Sequence, residues 1–422
     1  MVFKNRMTIK NKAYSPFSKV ATWLLVLSPI IQTYGWGKYD FAFLLTSLLG
    51  VVAFVMSKIH TKDLPKYLLL YMFYWLIIHF SSATSLGEAI PLGVVKSILV
   101  YCTFFSVIKL PLLIRYYKVV ARICIIFFFI QLVVKYVIGV NVPGVFSFLP
   151  LALDTDAAVY FQTIIETQRL CSFFSEPALF AQFESLYLCL LLFEADVFRR
   201  QKRIEIALVS LALLLMQSGN ALLGLLIGFL FYVLFQMRGG ARKKVRAVVL
   251  GIVLVIGAGI FAGTKIGQNL MSRQSQVSVN SVDQLGYSTS GFERVFRGYY
   301  IYQQYSTIRK IIGNDNPNYK IEAARKSIVS VYFNGDYLYN NTIQSYLLNT
   351  GLIGLLIMIL VYKKIWERTN QCGKSILAIF IAFNFISSAY FTEIMCLYLL
   401  IPTLLGRYQL TQKSIVLNNN AK

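Results

Sequence analysis

The triplet Ser175-Glu176-Pro177 sets a carboxylate beside a proline where a polar stretch turns strongly apolar. Proline prefers the first helical position, and Ser175 or Glu176 suits the position before it, so a helix is expected to start at Pro177 and end near Asp196. About 20 residues is about 30 Å at the helical rise, one bilayer crossing. Glu176 then stands at the positive end of a helix dipole, with Arg169 just upstream and the backbone between them non-helical at the membrane boundary. An ionisable side chain is costly there unless paired, which makes both residues candidates for function. The plainer alternative is a capping carboxylate.

Other ionisable residues fall at comparable depth. Lys96 lies about 9 Å inside the fourth apolar segment and Lys135 about 7 Å inside the fifth, by the helical rise. His79 ends the third segment, and Glu184 follows Glu176 two turns on. Together they point to a polar cavity opening between helices; a snorkelling lysine is the competing reading of Lys135. Further along, a long polar stretch carries Arg273, Arg294, Arg297 and Arg309 among many tyrosines, Tyr299 included. Arginines converging over a membrane cavity suit phosphate or pyrophosphate oxygens, which guanidinium groups bind bidentately. That stretch has no histidine, so a base within it must be a carboxylate: Asp283, Glu293, Asp315, Glu322 or Asp336. Phosphate-loop, dinucleotide, zinc-protease and serine-hydrolase motifs are missing.

The elements that must hold these groups are read from hydropathy. Of 422 residues 57% are hydrophobic and only 14% charged, too apolar for a soluble chain of this size. Apolar segments fall at Val20–Tyr34, Tyr39–Ser57, Leu64–Phe80, Ile90–Ile108, Val119–Val140 and Cys171–Ala195. They continue at Ile204–Gln217, Asn220–Gln236, Val245–Gly263, Thr342–Tyr362, Lys374–Tyr390 and Glu393–Tyr408. The expectation is an all-α polytopic membrane protein of about twelve transmembrane helices. Ile204–Gln217 and Asn220–Gln236, parted by Ser218-Gly219, are alternatively a re-entrant pair.

The net charge of +23 reflects Lys and Arg gathered in short loops on one side, the positive-inside pattern, rather than nucleic-acid binding. It puts both termini in the cytoplasm and the basic N-terminus in a retained first helix. Two long outer loops remain, 141–170 and 264–341; the second is expected to fold as a partly helical cap. The chain thus divides into membrane helices at 1–263, the cap at 264–341 and final helices with a cytoplasmic tail at 342–422. Six cysteines lie in or beside apolar segments without zinc or disulfide spacing.

Arg169 with Phe-Phe-Ser-Glu176-Pro177-Ala-Leu-Phe-Ala, then Asn220-Ala-Leu-Leu-Gly, Ser290-Gly-Phe-Glu-Arg294 and Asn340-Asn341-Thr-Ile to Gly351 follow in an order that resembles the O-antigen polymerase and ligase family of bacterial envelope polysaccharide synthesis. The likeness covers roughly Arg169 to Gly354. It implies a GT-C-like glycosyltransferase of the bacterial inner membrane. In the polymerase (Wzy) branch, a growing glycan passes from undecaprenyl pyrophosphate to a new lipid-linked repeat unit. Arg169, Arg294 and Arg297 would neutralise the leaving pyrophosphate; Glu176 would either take the proton of the attacking hydroxyl or orient an arginine. Lys96, Lys135, His79, Arg273, Asn341 and Tyr299 would line the substrate site, with tyrosines stacking on sugars. No cofactor or metal is implied, and a chain-length regulator protein is a candidate partner. Ligases of the family often carry His where this chain has Asn340, so ligation to lipid A-core is the second reading. A lipid-linked oligosaccharide flippase is the third.

Overall fold

The computed structural model describes residues 14–37, 39–84, 90–146, 148–152, 170–193, 200–241, 244–245, 248–249, 251, 263, 268, 293–327 and 340–420. It is mostly helical, 77% against 2% strand. In chain order the helices are α1 (Pro16–Ile31), α2 (Phe41–Val55), α3 (Lys66–Ser82), α4 (Leu92–Val107) and α5 (Leu110–Val133), which runs on into a π-helical turn, Val134–Ile138. After the first long loop come α6 (Pro177–Leu192), α7 (Arg200–Leu215) and α8 (Gly219–Met237). Three short helices form the cap, α9 (Gly298–Gln303), α10 (Thr307–Ile312) and α11 (Pro317–Lys326), and α12 (Thr342–Arg368), α13 (Gln371–Phe383) and α14 (Glu393–Asn420) close the chain. A two-residue hairpin, Gly35–Trp36 with Tyr39–Asp40, joins α1 to α2.

Among the described residues, three helical stretches, Leu110–Ile138, Gly219–Met237 and Thr342–Arg368, are long and apolar enough to cross a membrane; Pro16–Ile31, Phe41–Val55, Leu92–Val107, Pro177–Leu192 and Gln371–Phe383 are apolar but shorter. Among the described residues these helices fit a membrane protein without establishing twelve crossings. Most of the ninth expected segment, Val245–Gly263, and most of loop 141–170 lie outside the described residues. The seventh and eighth form a helical hairpin, α7 with α8, turned at Gln217.

Burial follows a membrane pattern. The middle of the bundle is α6 and the first half of α14, buried nearly all round. Outer helices expose apolar stripes at helical spacing: Leu70, Phe73, Ile77 and Phe80 on α3, and Ile123, Ile126, Ile130 and Val133 on α5. In water such surface would be a liability; towards lipid it is the expected face. Within the core, Phe128, Phe174, Phe180 and Phe183 stack between α5 and α6.

One helix is not what its hydropathy suggests. The hydroxyls of Tyr346 and Tyr362, sixteen residues apart on α12, meet at 2.9 Å. A straight helix would separate those positions by about 24 Å. The chain folds at Gly351 (φ 64°, ψ −166°), a conformation essentially confined to glycine. The break lets residues 342–350 form a short arm whose amino end returns alongside Tyr362, where Asn384 O accepts from Ile343 N and Asn384 Nδ2 donates to Tyr362 Oη. The cap enters the gap: Gly313, itself at φ 89°, lies against Gly351 so closely that neither has room for a Cβ. Asn314 N donates to Leu348 O, one of the carbonyls a broken helix leaves unsatisfied. Irregular backbone at membrane depth is tolerated where protein satisfies it in this way.

Candidate functional site

The helix beginning at Pro177 starts where expected, with Glu176 at its N-cap position. The Glu176 side chain makes no capping bond to its own helix, so helix initiation does not use this carboxylate. The backbone before it, 170–176, is pinned inside the bundle: Ser172 Oγ donates to Cys124 O at 2.7 Å, and Gln131 Oε1 accepts from Ser172 N at 2.9 Å. This is the non-helical dip that the sequence predicts.

Around this point the motif stretches come together through hydrogen bonds. Asn220, in the first turn of α8, has Nδ2 2.6 Å from Ser387 Oγ and 3.5 Å from Ala178 O at the start of α6. Ser387 Oγ donates back to Asn220 Oδ1, 3.0 Å. Ser387 O then accepts from Thr342 N and from Thr342 Oγ1, the first residue of α12. Three helix N-termini, those of α6, α8 and α12, are thereby tied to one seryl group. The first-turn N–H groups of α12 are already taken by Ser387 O, Asn384 O and the Asn341 side chain, whereas α6 and α8 have no side-chain cap, and their amino ends favour an anion near the junction.

The cap closes on the same arm. Gln344 Nε2 donates to Val295 O at 2.9 Å, and Gly298 sits against the Gln344 side chain. This holds the π-helical turn Glu293–Arg297 over the head of α12 and leaves Arg297 only 3% exposed. Asn341 caps α12 in a reciprocal capping box with Gln344, and its Nδ2 donates to Phe385 O. Its amide is engaged in holding the arm, so Asn341 is a positioning residue. Tyr299 follows in α9, half-buried, and burial raises its phenol.

Two expected site residues belong to other clusters. Lys96 Nζ is 2.9 Å from Glu393 Oε1 at the head of α14 and lies over the Phe43 ring, with Thr46 also reaching Glu393. Its charge is balanced within the bundle. His79 Nδ1 is 2.8 Å from Asp315 Oδ2, an oxygen that also accepts from Trp75 Nε1, while Lys320 Nζ stands 3.4 Å from Oδ1. With Asn316 Nδ2 donating to Ser82 O, this cluster clamps the cap onto α3. Lys135 sits in the π-helical turn with its ammonium 5.5 Å from the Tyr136 ring, beside exposed Val137 and Ile138. That is the setting of an interfacial lysine. Arg169, Arg273 and the side chain of Arg294 lie outside the described residues.

Gln344 and Ser387 stand at this junction without having been singled out by residue type, while Glu393 and Asp315, the latter one of five cap carboxylates, anchor the two separate clusters. Glu184 is fully buried, and neither carboxyl oxygen has a hydrogen-bond partner among the described residues.

The Asp315 clamp sets a pH dependence. Burial on its own would raise the carboxyl, but neighbouring Lys320 and hydrogen bonds from His79 and Trp75 hold it below the ordinary value. A depressed folded value gives stability that is present above about pH 4 and lost as pH falls through the folded value. Limited proteolysis of the cap should therefore accelerate on acidification. Asp315→Asn should show fast cleavage already at neutral pH, having lost about 3 kcal/mol with one partner of a buried pair. Cleavage independent of both pH and this substitution would remove the clamp.

Compared with known proteins, the chain matches no family model and no curated protein. What stands established is a largely helical protein whose apolar helices are consistent with a membrane setting.

Proposed function

We propose that this protein is a polysaccharide polymerase of the bacterial inner membrane, a GT-C-like glycosyltransferase acting on the outer face with both termini in the cytoplasm. In this reading a growing glycan leaves undecaprenyl pyrophosphate and is joined to a lipid-linked repeat unit. The observation that supports the reading is that the stretches bearing Glu176, Asn220, Arg297 and Asn341, far apart in sequence, are tied together by hydrogen bonds of Asn220, Ser387, Thr342 and Gln344.

The reaction needs three things from the protein. The departing pyrophosphate needs positive charge, for which the amino ends of α6 and α8 and Arg297 are the candidates, in a site where fixed dipoles outweigh their value in water. The attacking hydroxyl needs a proton acceptor at the same place; Glu176, not spent on capping, takes that role. The sugars need a surface that tolerates different rings, for which the tyrosine-rich cap is suited.

The test is direct. Purified protein in detergent, given lipid-linked repeat units, should lengthen them without nucleotide or added metal. Preparations whose thermal unfolding is cooperative, yet which leave the units unextended, would sink the polymerase reading. Movement of the units across vesicle membranes without extension would favour a flippase.

A further inference from the structure

The cap is expected to sit above the membrane, but its contacts hold part of it lower. Asp315 meets Trp75 and His79, and Asn316 meets Ser82, so the chain after α10 climbs the last two turns of α3. The carboxyl end of α10 is fixed further down, where Tyr74 Oη donates to Ile312 O at 2.9 Å. Tyr74 precedes Ser82 by eight residues, about 12 Å along the helix. On its other side α10 packs on α12 at the Gly351 break.

On α10, Ile308 and Ile311 are 69% and 45% exposed. They share one face at the i, i+3 spacing. Neither belongs to the small core of the cap, which Ile301, Tyr305, Ala323 and Ala324 form against Leu348 of α12. The two helices that this segment touches also carry exposed apolar residues next to the contact points: Phe73 and Ile77 flank Tyr74 on α3, and Leu352 and Leu356 follow Gly351 on α12. Arg309 and Lys310 stand to either side of the isoleucine face, partly buried along their stems. An apolar stripe flanked by cations is the pattern of a helix lying in the interface, its stripe in the acyl chains and its cations at the phosphates.

We infer that α10 is a membrane-inserted foot of the cap: Ile308 and Ile311 enter the outer leaflet, and Arg309 and Lys310 bind lipid phosphates. The occupant is the bilayer, because the stripe continues surfaces that face it on both neighbouring helices. The inference does not depend on glycosyl transfer.

Site-directed spin labelling of the full chain in lipid nanodiscs tests it. All six native cysteines are buried, so Ile308→Cys and Ile311→Cys each present one accessible thiol, and Glu322→Cys on exposed α11 serves as the aqueous reference. Labels at 308 and 311 should collide severalfold more with dissolved oxygen, and severalfold less with a water-soluble nickel complex, than the label at 322. Equal nickel accessibility at all three positions would overturn the proposal. So would dipolar broadening between labels on separate chains, since a second copy would then be the occupant. Reversing both cations, Arg309→Glu with Lys310→Glu, should raise nickel access at 311; unchanged access would remove the phosphate contacts.

Discussion

If the protein is the polymerase proposed above, Glu176→Gln should abolish long polysaccharide chains at the cell surface while leaving the protein in the membrane at its usual level. Glutamine keeps the shape of the side chain and removes its capacity to accept a proton, so the loss expected for a general base is about 10²- to 10⁴-fold in rate. The helix itself should not suffer, because the carboxylate makes no bond that starts α6. Helix initiation is therefore not where the substitution is expected to act. Gel profiles of surface glycan read the first effect and thermal unfolding the second. Unchanged chain lengths would dismiss Glu176 as the base. Lost chains together with a collapsed melting point would show that the residue builds the fold instead.

Gly351→Val has an effect of similar size for another reason. The residue stands at φ 64° and ψ −166°, where a residue with a Cβ is strained by about 1–3 kcal/mol. The added atoms must also displace the backbone of Ile311 and Gly313, so the cap cannot stay seated in the break. Loss of Asn314 N to Leu348 O follows, exposing two backbone groups. The expected outcome is a large fall in thermal midpoint, rapid proteolysis of the cap and no polymerisation. Gly93→Ala is the control, since nothing lies near the position of its Cβ and alanine favours a helix. Equal tolerance of both substitutions would mean that α12 does not need its fold.

The start of α6 was legible because proline removes an N–H wherever it falls, and that leaves a mark on a sequence. Lys96 was legible as a costly charge in an apolar segment; its partner was not, since Glu393 is 297 residues away and opens a helix of its own. The fold in α12 was hidden for a related reason. Gly351 reads as one more small residue in a membrane helix until Gly313, on a different loop, is placed against it. The eleventh apolar run, expected to reach Tyr390, is helical only to Phe383 and continues as irregular backbone over 384–392. Hydropathy registers that backbone as apolar and cannot tell it from helix.

Besides the Asp315 clamp, the cap is moored through main-chain atoms of its own: Val295 O, Ile312 O, Asn314 N and the backbone of Gly313 against Gly351. Main-chain groups are the same whatever side chain stands above them. Side chains of α9 and α11 outside the Asp315 cluster and the small cap core are thus free to vary without unseating the cap; under the proposed function, that would separate a part that chooses among sugars from a part that must remain still. A lineage exposed to a changing demand for surface glycans could alter the first by point substitutions and inherit the second intact.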